Sequence, residues 1–156
     1  MIQHKIKSIK NLVRIINVRK KEGNKIVFCN GCFDILHVGH IKFLEDAKRQ
    51  GDVLIVGINS DSSVKSNKGP KRPINKEKDR AFVLASIEFV DYVIIFSEKT
   101  PIKLINAIKP DIFVNGLEYG KDCIEAADVK KYGGKIHLVR DYYGVSTTKL
   151  INKIQA

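Results

Sequence analysis

The feature that most constrains this chain is an alternation of two kinds of segment. Five short apolar runs, "KIVFCNG", "DVLIVGINS", "DYVIIF", "PDIFVNG" and "KIHLVR", are separated by stretches whose apolar residues recur at helical spacing. A run that is apolar at nearly every position, such as residues 52–60, suits a strand covered on both faces. Strands alternating with helices close into parallel strands joined by right-handed crossovers. The expected fold is therefore α/β: a Rossmann-like, doubly wound, five-stranded parallel sheet in a three-layer α/β/α arrangement. Helices are predicted over 6–20, 39–51, 76–89, 100–109, 121–134 and 146–154. Thr100 is placed as an N-cap with Pro101 in the first turn, and Gly51 closes the helix before it. Residues 60–75, "SDSSVKSNKGPKRPIN", are polar, basic and broken by Gly and two Pro, and read as a long loop.

A chain of 156 residues can bury a core of its own, and no repeat or linker divides it. One domain over 1–156 is expected, with a helical segment over 1–23 and a core over 24–156. No apolar run approaches the ~20 residues that span a bilayer. The basic N-terminus lacks the apolar block and cleavage site of a secretory signal. A cytoplasmic protein with no membrane partner is expected. Cys29, Cys32 and Cys123 are too few and odd in number for a disulfide framework. Cys29 and Cys32 form a CxxC, but no second pair completes a zinc site. The net charge of +11 favours anionic partners such as nucleotides, sugar phosphates or nucleic acid. No aromatic-and-basic strand motif for RNA is present, so nucleic acid is not expected.

In a doubly wound sheet, ligands bind outside the carboxyl ends of the strands. The first strand ends in "CNGCFDILHVGH". His37 and His40, three apart, fall on one face of a helix, and Gly39 between them leaves room for a close backbone approach. A helix N-terminus supplies free N–H groups and a positive dipole end, both suited to phosphate. Three readings stand at this point. The histidines bind zinc with Asp34 or Cys32, they are packed or capping residues, or they grip a phosphate.

The stretch "NGCFDILHVGH" resembles the G-x-F-D-x-x-H-x-G-H signature of the cytidylyltransferase family of nucleotidyltransferases, and "GVSTTKLI" resembles that family's second signature. The resemblance runs over residues 24–154. Within the family, "NGCFD", the preceding helix, "INSDSSVKSNKGPKRPIN", "DYVIIFSEKTPIKLINAIKPDIFVNGLEY" and "GGKIHLV" are similar to bacterial D-glycero-D-manno-heptose 1-phosphate adenylyltransferases. The resemblance implies transfer of AMP from ATP to a heptose 1-phosphate, with release of pyrophosphate, to make ADP-heptose for surface polysaccharide. It implies Mg²⁺ carried with the triphosphate and no protein metal site, a homodimer, and a separate heptose kinase upstream.

A phosphate monoester is already a nucleophile, so such a site needs positioning and charge neutralisation rather than a serine or cysteine. His37, His40, Lys68 and Arg72 are the expected catalytic residues. Gly31, Cys32, Phe33, Gly39, Arg80, Asn115, Gly116, Gly144, Ser146, Thr147 and Thr148 are expected at the nucleotide, and Asp34, Lys65, Glu118 and Tyr119 at the substrate. Two departures bear on the base. "VNGLEY" stands where the heptose enzymes resemble "VKGGDY", and Asp141, with Arg140 beside it, stands where glycerol 3-phosphate cytidylyltransferases carry an arginine. ATP, CTP and GTP thus remain open, as do glycerol 3-phosphate as the acceptor and a binding module without catalysis.

Overall fold

The computed structural model describes residues 1–141 and 144–156. Strands β1 (Ile26–Gly31), β2 (Val53–Asn59), β3 (Tyr92–Phe96), β4 (Ile112–Gly116) and β5 (Lys135–Val139) form one parallel sheet, ordered β3-β2-β1-β4-β5. Side chains of a strand alternate between faces. Val27, Cys29, Leu54 and Val56 join one buried cluster, and Ile26, Phe28, Val53 and Ile55 join another. Helices α2 (Val38–Arg49) and α4 (Glu77–Ala85) cover the first face through Leu44, Ala47, Ala81 and Leu84. Helices α1 (Ile9–Lys21), α5 (Ile102–Ile108) and α6 (Ala126–Lys131) cover the second through Leu12, Ile16, Ile105 and Val129. The three-layer, doubly wound α/β fold expected from the alternation is the one that forms.

Three aspartates fix the register at the amino end of the sheet. Asp52 accepts the Lys25 amide at 2.7 Å, Asp91 the Leu54 amide at 2.7 Å and Asp111 the Ile26 amide at 2.7 Å. Each carboxylate stands just before its own strand and takes an N–H from the neighbouring one, which extends the ladder. At the β3 edge, Ile6 bridges to Val93, and Lys5 donates to the Val90 carbonyl at 2.8 Å. The N-terminal arm thereby covers an edge that would otherwise be open to pairing.

The structure corrects three local expectations. The predicted loop over 60–75 contains a helix, α3 (Asp61–Lys68), capped by Ser60, whose Oγ accepts the Ser63 amide at 3.2 Å. Ser60 and Asp61 are good starting residues, but Val64 is the one apolar side chain it buries, too little for a periodic signal. Helix α5 begins at Ile102 with Pro101 in the cap position and no side-chain cap bond, so Thr100 is not its cap. The predicted helix over 121–134 shortens to α6, which begins only at Ala126 and stops at Lys131 ahead of Gly133 at φ +85°; a 3₁₀ turn (Leu117–Tyr119) follows β4 directly.

Gly57 in β2 is glycine for want of space: a Cβ there would lie 2.9 Å from Phe28 Cζ and 3.4 Å from Phe96 Cε1. Gly57→Ala is expected to cost about 1–3 kcal/mol by overpacking, read as a lower midpoint in urea unfolding with an unchanged slope.

Candidate active site

Strands β1 and β4 are neighbours from which the chain departs in opposite directions, so a crevice opens at their carboxyl ends. A cavity of about 540 Å³ lies there, in the range of small-ligand sites. Its floor is Gly31 and Cys32 after β1, and Asn115 and Gly116 at the end of β4. One wall is the first turn of α2; another is the N-terminus of the last helix, α7 (Thr147–Gln155).

The two histidines stack face to face, ring centroids 3.8 Å apart. His37 is the cap residue of α2, with extended backbone and no capping bond, and His40 sits in its first turn. Gly39 makes the stack possible, since a Cβ there would stand 3.0 Å from His37 Cε1 and Nδ1. The room that the glycine leaves is thus taken by His37 itself, not left for a ligand. Gly31 does the same for Phe33, whose ring lies 5.2 Å from that of His40 and whose backbone is held at φ +47°. Both His37 ring nitrogens and His40 Nδ1 are buried, with no hydrogen-bond partner among the described residues. Buried polar nitrogens of that kind are costly unless a ligand completes them. Burial lowers the His37 pKa, against the pull of Asp141. Burial, His37 and Lys68 together push His40 down from the ordinary 6.5 to about 4. Near neutral pH the pair is two neutral imidazoles, each able to donate one N–H.

Lys68, at the end of α3, and Arg72 bring positive charge to the cavity. Ser146 caps α7 by accepting the Lys149 amide at 3.2 Å, Thr147 donates to the Ile35 carbonyl at 3.3 Å, and Thr148 lines the cavity beside them. Glu118 and Tyr119 line the β4 side. Most of the residues expected at a ligand are therefore brought together around one space.

Four are not. Lys65 is exposed on α3 away from the cavity. Gly144 stands outside the lining, its N–H donating to Asp141 Oδ1 at 3.0 Å. Arg80 is 1% exposed, and its guanidinium donates to the Cys32 and Asn75 carbonyls and to Asp61, at 2.7–2.9 Å. Its ion pair is with Asp61, at 2.9 Å. Asp34 is buried and accepts from Arg72 Nε at 2.8 Å and from the Ile74 and Asn75 amides. Burial pushes its carboxyl up, but those hydrogen bonds outweigh burial and hold it below its usual range. So committed, Asp34 is not available as the carboxylate that a zinc reading of the histidines needs. The CxxC divides in the same way: Cys29 packs in the core, and Cys32 lines the cavity with its thiol pushed up by burial. A thiol held protonated is a poor nucleophile.

Sequence reasoning missed the outward face of α2. Lys42, Glu45, Asp46 and Arg49 line the cavity at three- and four-residue intervals, and Asp46 Oδ1 lies 3.0 Å from His137 Nε2 on β5. The signal was present in part, since these four polar positions recur at three- and four-residue intervals and so share one face of the helix.

The family model described as cytidylyltransferase-like matches residues 28–153. The chain belongs to this cytidylyltransferase-like family of nucleotidyltransferases. Curated relatives include "Bifunctional protein HldE" of Geobacter metallireducens, 50% identical over 96% of this chain, and that of Campylobacter jejuni subsp. doylei, 51% identical over 96%. The chain spans about a third of the length of these relatives, 31% and 32%. Among solved structures, a lipopolysaccharide core biosynthesis protein from Thermoplasma volcanium is 34% identical with a TM-score of 0.63, covering 76% of this chain and 97% of that one. A pantoate-beta-alanine ligase from Francisella tularensis, at 24% identity and TM-score 0.63, shares the fold. The stacked pair are the two histidines of the stretch "NGCFDILHVGH", which lies within the matched region. No described helix is long and apolar enough to cross a membrane.

The depressed His40 pKa has a consequence for this nucleotidyltransferase. Between 6.5 and about 4 the unfolded chain holds a proton on His40 that the folded chain does not. Stability present above 6.5 is therefore lost as pH falls through that window. Urea unfolding across this range is expected to show the loss, and His40→Gln to remove part of the slope. An unchanged slope in the variant would mean that His40 is an ordinary exposed imidazole.

Proposed function

We propose that the chain transfers AMP from ATP to D-glycero-D-manno-heptose 1-phosphate, forming ADP-heptose for bacterial surface polysaccharide and releasing pyrophosphate. The observation that carries the nucleotidyl transfer is the stacked His37–His40 pair, with nitrogens lacking protein partners, in a cavity that also holds Lys68, Arg72 and the start of α7. The heptose acceptor is supported by the motif resemblance over residues 24–154 and by relatives at about half identity.

In this reading a phosphate oxygen of the sugar phosphate attacks the α-phosphorus in line. The new O–P bond forms as the bond from the α-phosphorus to the bridging oxygen breaks, and pyrophosphate carries that oxygen away. The attacking oxygen is already anionic, so no base removes a proton from it. His37 and His40 donate N–H to the phosphoryl oxygens on which charge grows, Lys68 and Arg72 offset the triphosphate, and α7 turns its amide end to it. The reading includes Mg²⁺ bound chiefly by the oxygens of the triphosphate and by water. Bound there, Mg²⁺ supplies further charge neutralisation. The reading also includes a homodimer, a cytoplasmic setting and a kinase that supplies the sugar phosphate.

The test is pyrophosphate release with Mg²⁺, pairing ATP, CTP, GTP or UTP with each anomer of the heptose 1-phosphate and with glycerol 3-phosphate. Release is expected with ATP and a heptose phosphate. Release with CTP and glycerol 3-phosphate alone would move the reading to a glycerol-phosphate cytidylyltransferase. Silence with every pair would leave a binding module. His37→Ala and His40→Ala are each expected to lower turnover by roughly 10²- to 10³-fold with the melting temperature little changed.

A further inference from the structure

Two arginines lie beside the cavity with almost no access to water, and a carboxylate answers each. Each guanidinium nitrogen of Arg80 donates to an acceptor within the protein. Arg72 is held differently. Its Nε donates to Asp34 Oδ2 at 2.8 Å, and neither terminal nitrogen has a partner among the described residues. The side chain is 11% exposed and that of Asp34 0%, and Arg72 lines the cavity where Asp34 does not. Asp34 also accepts the Ile74 amide at 2.9 Å and the Asn75 amide at 2.8 Å, and its carbonyl accepts from Asn75 Nδ2 at 2.7 Å. One residue at the end of β1 thus fixes both the guanidinium of Arg72 and the backbone that follows it.

From this geometry we propose that Asp34 is the positioning residue of the phosphate site: it grips Arg72 at Nε so that both terminal nitrogens face the bound triphosphate, and it touches no ligand itself. The proposal rests on the reading of the cavity as a triphosphate site. An arginine this dry is costly without a counter-charge, and Asp34 supplies one that survives when the cavity is empty of phosphate. A guanidinium held at Nε keeps its fork for a two-pronged contact with phosphate. A lysine could reach both groups with its three N–H donors, but it has no planar fork to make a two-pronged phosphate contact while a separate N–H holds the carboxylate. Arg80, hydrogen-bonded to the Asn75 carbonyl, secures the same segment from behind.

The sign of one effect separates positioning from plain electrostatics. Taking a negative charge from beside an anion site should by itself tighten anion binding. Losing the grip on Arg72 should weaken it. We would measure binding of tripolyphosphate to the full chain by calorimetry at fixed ionic strength. Asp34→Asn is expected to bind roughly tenfold more weakly, as is Arg72→Ala, since each forfeits a charge-assisted contact. The double variant is expected to be no weaker than Arg72→Ala alone. Tighter or unchanged binding by Asp34→Asn, or losses that multiply in the double variant, would overturn the proposal. If Asp34→Asn does not fold by circular dichroism, Arg72→Lys carries the test: it keeps the charge, and full retention of affinity would overturn the proposal. A wild-type chain that fails to bind tripolyphosphate overturns both the proposal and the reading beneath it. Binding without pyrophosphate release from any substrate pair counts against the reaction alone.

Discussion

Strand β1 has parallel partners on both sides and helices on both faces, so its backbone can meet a ligand only at its carboxyl end. That constraint organises the site. The chain leaves β1 through Gly31, Cys32 and the left-handed Phe33, turns at Asp34, and re-enters a helix at His37. A non-glycine residue at positive φ costs energy and persists only where its surroundings hold it. Here the Phe33 ring packs over Gly31 and beside His40, so the strained turn and the imidazole stack support each other.

Polar chemistry next to a dry core must be balanced group by group, and the balance is visible. Asp34 answers Arg72 and Asp61 answers Arg80; the first pair ties the turn after β1 to the segment before α4, and the second ties the start of α3, just after β2, to α4 itself. The two imidazoles are different. They are half-buried, neutral near pH 7 and without partners among the described residues for three of their nitrogens. The Tyr132 hydroxyl is also buried without such a partner, but it lies outside the cavity, whereas the histidines line it, where a ligand can complete them.

Much of this was legible in the sequence, for identifiable reasons. The five apolar runs announce a parallel sheet because strands buried on both faces can afford no polar interruption, and "HVGH" falls at a strand end because the topology puts binding there. Helix α3 was not legible, since it buries little and sits in a segment rich in Gly, Pro and charge. The place of Arg80 was not either. A basic residue near a phosphate site reads as a ligand contact, and only the fold reveals that its guanidinium is buried and donates to Cys32, Asn75 and Asp61. Asp34 carries the converse lesson: a carboxylate within a signature can serve the backbone and a neighbouring cation rather than the substrate.

The most direct measurement is an NMR titration of the His37 and His40 ring nitrogens, in the free chain and with a non-hydrolysable triphosphate bound. Both rings are expected to be neutral at pH 7 in the free chain, with His40 titrating far below an ordinary imidazole, and both are expected to change on binding as their N–H groups find phosphoryl oxygens. Rings that titrate like exposed histidines, or that ignore the triphosphate, would contradict the assignment of this pair as the donors at the reacting phosphorus.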